Sequence, residues 1–438
     1  MVLTSVNALR IGVTLAIGVL LIAAGCNGGG GIDDDTTRFS VMVENIGTPQ
    51  PFLDSGVFNT PVGAGSPGPA TNGNEYQFMV AGGEGMYLSF ATMYGQSNDL
   101  FFGPDGMGID LHPGGTPLDG DVTDQVYLWD AGTEENQEPG VGDNQAPRQA
   151  APDTGPADPD DTVRLVDDGF TYSAVDQLIS VEVSHLGDNE FLVTVSCISD
   201  ETPISPGVYV VHGDPDPLFE EGQPDHGMGL ERIAEEGNPA LLGPAVADMT
   251  GLATPLSPLA WVVHQGGMPI FELGQPDFDN GLERIAEDGN PADLGDSLTG
   301  DGFSASGTVA IPDGASSPGP ITPGNSYTFV IEGAPGDSLS FASMFGQSND
   351  IFLAPGQNGI DLFPGGTPLS GDVSSQLSWW DAGTEANQFP GAGPDQAPRQ
   401  SAPDTGDPDP NANVRLIDDG YHYAPADEIV RVIITPIT

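Results

Sequence analysis

SFATMYGQSND (89–99) recurs as SFASMFGQSND (340–350), and the 251-residue offset that carries Asp99 onto Asp350 holds far beyond that stretch. The same offset carries GIDL (108–111), PGGTPL (113–118), WDAGTE (129–134) and QAPRQ (145–149) onto identical segments. An ungapped match from about residue 55 to 183 means one large body copied once, not an array of small units. The matched runs are short and rich in β-branched and aromatic residues, and several alternate with period two. EYQFMVAG (75–82), LISVEVSHL (178–186) and EFLVTVSCI (190–198) read as half-buried antiparallel strands, as do SYTFVIEG (326–333) and EIVRVIITPI (428–437). Gly, Pro, Asp and Asn clusters between them read as turns. The expected fold class is all-β: two tandem antiparallel β-sandwich domains with short helices.

A shorter duplication lies between the copies. SPGVYVVH (205–212) returns as SPLAWVVH (257–264), and GLERIAE (229–235) returns 52 residues later. GLERIAE is the clearest helix signal, with Leu230, Ile233 and Ala234 on one face and Gly237 as a stop.

Composition narrows the function. The 438 residues carry 9 Lys and Arg against 64 Asp and Glu, a formal charge of −55. Such a surface repels phosphate backbones, so nucleic-acid binding is excluded as an expectation. Two cysteines exclude a disulfide scaffold and a cysteine-based zinc site. Arg10 precedes an apolar run (11–25) too short for a membrane span and suited to a signal peptide over 1–25. Ala24-Gly25-Cys26 resembles a lipoprotein signal, so Cys26 is the expected lipidation site. Residues 26–38 then form a flexible acidic tether, and the expected location is the cell envelope, at the outer membrane or cell surface. Cys197 reads as a buried core thiol.

The residues that carry chemistry are acidic. Asp99 ends a predicted strand, and Asp130 and Glu134 lie four apart around Gly132. Asp350, Asp381 and Glu385 repeat the set. Three carboxylates gathered from two loops repel one another unless a cation sits among them, and hard oxygen ligands suit Ca²⁺. The alternative is that all six are ordinary solvated turn residues. His212 and His264 read as strand-end histidines in structural hydrogen bonds. Arg148 and Arg399 are expected to pair with nearby acids. No G-x-S-x-G, HExxH or phosphate loop occurs.

SFATMYGQSNDLFF, WDAGTE and the VVH…GLERIAEDG stretch together resemble the spondin N-terminal domain. The resemblance covers nearly all of 39–438. It implies an antiparallel sandwich similar to calcium- and lipid-binding domains, with one calcium ion held by three acids. Those acids map to Asp99, Asp130 and Glu134, and to Asp350, Asp381 and Glu385. The last position, often Asp in animal members, is Glu here.

On this reading the first domain spans 39–188 and the second 189–438, the second containing the duplicated elements 205–247 and 257–300. The first copy lacks the VVH–GLERIAE element. Either the spare element completes the first body or it is an insertion on the second. The functional expectation is a lipid-anchored surface protein that binds or adheres to an extracellular protein or glycan, without catalysis. Alternatives are a polysaccharide hydrolase and an acidic structural coat.

Overall fold

In the computed structural model, residues 36–438 are described, apart from Pro147, Ala253 and Asp301. The expected signal peptide, Cys26 and most of the tether lie outside the described residues. The tether ends sooner than expected, because Thr37 already begins a strand.

Two β-sandwich bodies are built to one plan. In the first, a four-stranded sheet runs in the order Glu75–Ala81, Glu190–Cys197, Ile179–Gly187 and Gly120–Asp121. It faces a seven-stranded sheet whose longer strands run, from the edge inward, Phe52–Phe58, Ile204–His212, Tyr87–Tyr94, Leu100–Pro104 and Val126–Asp130. The alternating strands put Tyr76, Phe78, Val181 and Val193 from one sheet against Leu88, Phe90, Leu100 and Phe102 from the other. Apolar burial of this kind contributes on the order of 1.5–3 kcal/mol per large side chain. On the outer face of the larger sheet sit helices Leu230–Glu236 and Leu242–Asp248. Leu230, Ile233 and Ala234 pack there on Phe101 and Trp129. Gly237 ends the first helix at φ 62, as expected from its position. The second body repeats both sheets, with helices Leu282–Asp288 and Ala292–Ser297 on its larger one.

The bodies are not the contiguous halves 39–188 and 189–438. Strand Thr37–Asn45 lies in the second body, between Ser326–Gly333 and Val430–Ile437. Strand Glu190–Cys197 lies in the first body, between Glu75–Ala81 and Ile179–Gly187. The spare element also packs on the first body: Val208 faces Ala91 and Val57, and Val210 faces Ser89 and Ser55. The first body is therefore the segment from about 52 to 250, inserted into a loop of the second. Its strand order is a circular permutation of the second body's.

Local geometry shows why both orders close. In the second body the first and last strands are neighbours, with Arg38 opposite Ile437. In the first body the equivalent strands are joined by a tight hairpin. Asp188 and Asn189 take φ 49 and φ 64 there, the left-handed pair that a two-residue hairpin loop requires. The two crossings between bodies run side by side. Gly251 N donates to Phe52 O at 3.0 Å, and Asn45 Nδ2 donates to Thr254 O at 2.9 Å. The hairpin also reaches across, where Asn189 Nδ2 donates to Ala392 O at 2.7 Å.

Asp54 stands just inside this neck. Its Oδ2 accepts from Ala81 N at 3.4 Å, and burial lifts its carboxyl from the ordinary 3.8 to about 7. Between those values the folded chain binds the proton that the unfolded chain has released. Asp54 therefore adds stability at low pH that is lost as pH rises towards 7, by at most ~1.4 kcal/mol per pH unit. Asp54→Asn is expected to flatten that part of the profile, read as urea midpoints at pH 4.5 and 7.5. Equal pH dependence in the two proteins would contradict the assignment.

Cys197 is fully buried, with its Sγ near the carbonyl oxygens of Ser199 and Thr202 at 3.4 and 3.3 Å.

Candidate functional site

The acids singled out by the repeat lie at one end of each larger sheet. Leu100 pairs with Asp130 in register, so Asp99 and Asp130 stand at the ends of adjacent strands. Ala131 N donates to Asp99 O at 3.0 Å and fixes that corner. Ile351 pairs with Asp381 and places Asp350 in the same way.

Asp99 is fully buried. Its Oδ2 accepts from Thr133 N at 2.8 Å and Glu134 N at 3.1 Å. Asp130 turns one oxygen to Gly132 N at 2.8 Å. Its other oxygen accepts from Asn136 Nδ2 and Arg164 Nη2, each at 2.7 Å. Gly132 holds φ +73 with the Thr162 backbone 2.5 Å from where a Cβ would stand, so only glycine fits that turn. Burial raises both aspartates. Asp130 pushes Asp99 further up, while Arg164 pulls Asp130 back down.

Glu134 joins this corner through its backbone more than its carboxylate. Its Oε1 accepts from Gly155 N at 2.5 Å and its Oε2 from Asn98 Nδ2 at 3.3 Å. A Cβ on Gly155 would lie 2.2 Å from Glu134 Oε2, so the glycine makes the cradle. The second body repeats the pattern. Asp381 pairs with Arg415 at 2.5 Å, and Glu385 accepts from Gly406 N at 2.8 Å. Asp350 differs in one respect: its Oδ1 is buried and has no hydrogen-bond partner.

A further acidic layer lies against each corner, supplied by the GLERIAE helices. Glu235 and Glu287 are each 1% exposed. Thr133 Oγ1 lies 2.5 Å from Asp99 Oδ1 and 2.9 Å from Glu235 Oε1. One hydroxyl proton cannot serve both carboxylates, so one acid carries a proton in the absence of a cation. Burial accordingly lifts Glu235 to about 8 and Glu287 to about 9. Among the described residues, one set of three acids has ligand oxygens all within 4.8 Å of one another: Glu283, Glu287 and Asp404. The two sets named from the sequence do not converge that tightly. The apolar face of GLERIAE marks it in the sequence as a helix and no more. The missed signal was that its glutamates are duplicated together with APDTG (151–155 and 402–406), whose Asp and Gly line the same nests.

The remaining candidates are structural. His212 Nδ1 donates to Asp214 O at 2.6 Å, leaving Nε2 to accept from Ser89 Oγ at 2.8 Å. Ser89 and His212 are 4% and 1% exposed, so this pair meets no solvent or substrate. His264 and Ser340 repeat it at 2.9 Å. Arg148 and Arg399 do not pair with acids as expected. Arg148 binds Gly142 O and Gln145, and Arg399 binds Gly391 O, Gly393 O and Gln396, so each fixes its loop through neutral oxygens. A cleft of about 440 Å³ is lined by Tyr94, Glu138, Phe170 and Glu201. Ser173 and Tyr94 both donate to Glu201 and hold its carboxyl below the usual range, so it is not poised as a general acid.

No protein-family model matches the chain, and no curated protein matches it.

Proposed function

We propose that this protein is an exported, lipid-anchored surface protein of the spondin type. On this reading each body holds a calcium ion at its carboxylate corner, and the role is binding or adhesion without catalysis. Cys26 would carry the anchor, and the ligand would be an extracellular protein or glycan. The observation that supports calcium best is Asp350 Oδ1: a buried oxygen without a donor, facing a second buried aspartate. Uncompensated buried carboxylates are costly, and a hard divalent cation with carbonyl and water ligands removes that cost. Asp99, Asp130 and Glu134 would serve the first body, and Asp350, Asp381 and Glu385 the second.

Calorimetry of the intact chain with Ca²⁺ tests this. Two equivalents are expected at these corners, and Asp130→Ala combined with Asp381→Ala should remove both. Retention of both in that variant would exclude the corners. Turnover on a panel of polysaccharides would overturn the non-catalytic reading.

A further inference from the structure

Helix Leu282–Asp288 carries Glu283 and Glu287 four residues apart, so both reach the same side. Asp404 comes from the opposite loop, where φ 56 turns its backbone sharply. One oxygen from each of the three lies within 4.8 Å of the other two. That spacing is repulsive for three carboxylates and suits a single divalent ion. Glu287 is 1% exposed and offers one oxygen to the set, and its Oε2 has no hydrogen-bond partner. The nearest cationic side chain on the helix is committed elsewhere: Arg284 pairs with Asp288 at 2.9 Å and Asp293 at 3.8 Å. The charges pressing on the three are also negative, from Asp277, Asp279 and Glu385.

We propose that Glu283, Glu287 and Asp404 form a second divalent-cation site in the second body, separate in its ligands from Asp350, Asp381 and Glu385. Its oxygen-only donor set belongs to the hard-cation class, and calcium is the ion it takes. The ion ties the helix to the 402–406 loop, whose Gly406 cradles Glu385. The first body has the same residues at Glu231, Glu235 and Asp153. Among the described residues, the tight convergence is found in the second body and not at these three. The two bodies are therefore unequal in calcium capacity.

Equilibrium dialysis with ⁴⁵Ca²⁺ on the intact chain tests the site through three proteins. The two outer acids, half-buried Glu283 and exposed Asp404, are changed in Glu283→Gln with Asp404→Asn, which leaves the buried Glu287 untouched. The inner corner is changed in Asp350→Asn with Asp381→Asn. Wild type is expected to bind one equivalent more than the outer variant, while the inner variant keeps that equivalent. Circular dichroism of the outer variant in EDTA should match wild type. An outer variant that binds as many ions as wild type overturns the proposal, as does loss of the same equivalent in the inner variant. Failure of the corner sites alone would appear as an inner variant indistinguishable from wild type, with the outer loss intact.

Discussion

Removal of residues 37–45 is expected to unfold the second body and leave the first standing. The deleted strand is internal to its sheet, paired on both sides along nearly its whole length. It buries Phe39, Val41 and Val43 at 0–1% exposure. Three such side chains represent roughly 5–9 kcal/mol of burial, comparable to the total stability of about 5–15 kcal/mol typical of a domain. The deletion also opens two unpaired strand edges in a formerly continuous sheet. Limited proteolysis with mass spectrometry would show protected fragments from 52–250 and rapid loss of 254–438. Digestion of the first body instead would mean that the strand belongs there, as a contiguous-module reading requires. A rescue follows from the permutation. Because Arg38 lies opposite Ile437, the deleted strand appended after Thr438 through a two-residue turn should restore protection.

Replacing Arg415 with Met in chelator is expected to destabilise the second body by about 3–5 kcal/mol, the usual cost of stripping one partner from a buried ion pair. The Asp381 side chain is fully buried and its pair with Arg415 is 2.5 Å long. Asp381 keeps Gly383 N and Asn387 Nδ2 as donors, but Asp350 and Asp409 press on it, so without the guanidinium buried carboxylates face one another. Asp381→Asn in the same chain should recover part of the loss, because it removes one orphaned charge while Asp409, the other partner of Arg415, keeps its own. Added calcium should recover part of it by supplying a cation to the same oxygens. Urea unfolding read by tryptophan fluorescence would report both. A loss below about 1 kcal/mol would make Arg415 a peripheral partner.

Much of this was legible in the sequence because strand alternation and turn chemistry are local. The all-β class and the strands around 75–82, 178–186 and 326–333 follow from period-two patterning alone. That Asp99 and Asp130 meet was readable from their positions at strand ends in a repeated unit. The ownership of two strands was not readable. FSVMVENI and EFLVTVSCI carry the same alternating pattern and could complete either body. Only the partner edge decides, and the chain connects them in an order that no local signal records. The outer acids were missed for a related reason. Glu283 and Glu287 lie beside the apolar stripe that anchors their helix, and the pattern that marks the core gives no weight to acids buried at its margin. Only the tertiary fold shows that Asp404, more than a hundred residues later, closes over them.

The claim on which the functional account stands is that divalent ions occupy these nests. Anomalous diffraction from crystals grown with calcium addresses it most directly. The account predicts peaks at Asp99–Asp130 and Asp350–Asp381, and a further one among Glu283, Glu287 and Asp404. A map without peaks at full calcium, with Arg164 and Arg415 still seated on their aspartates, would contradict it.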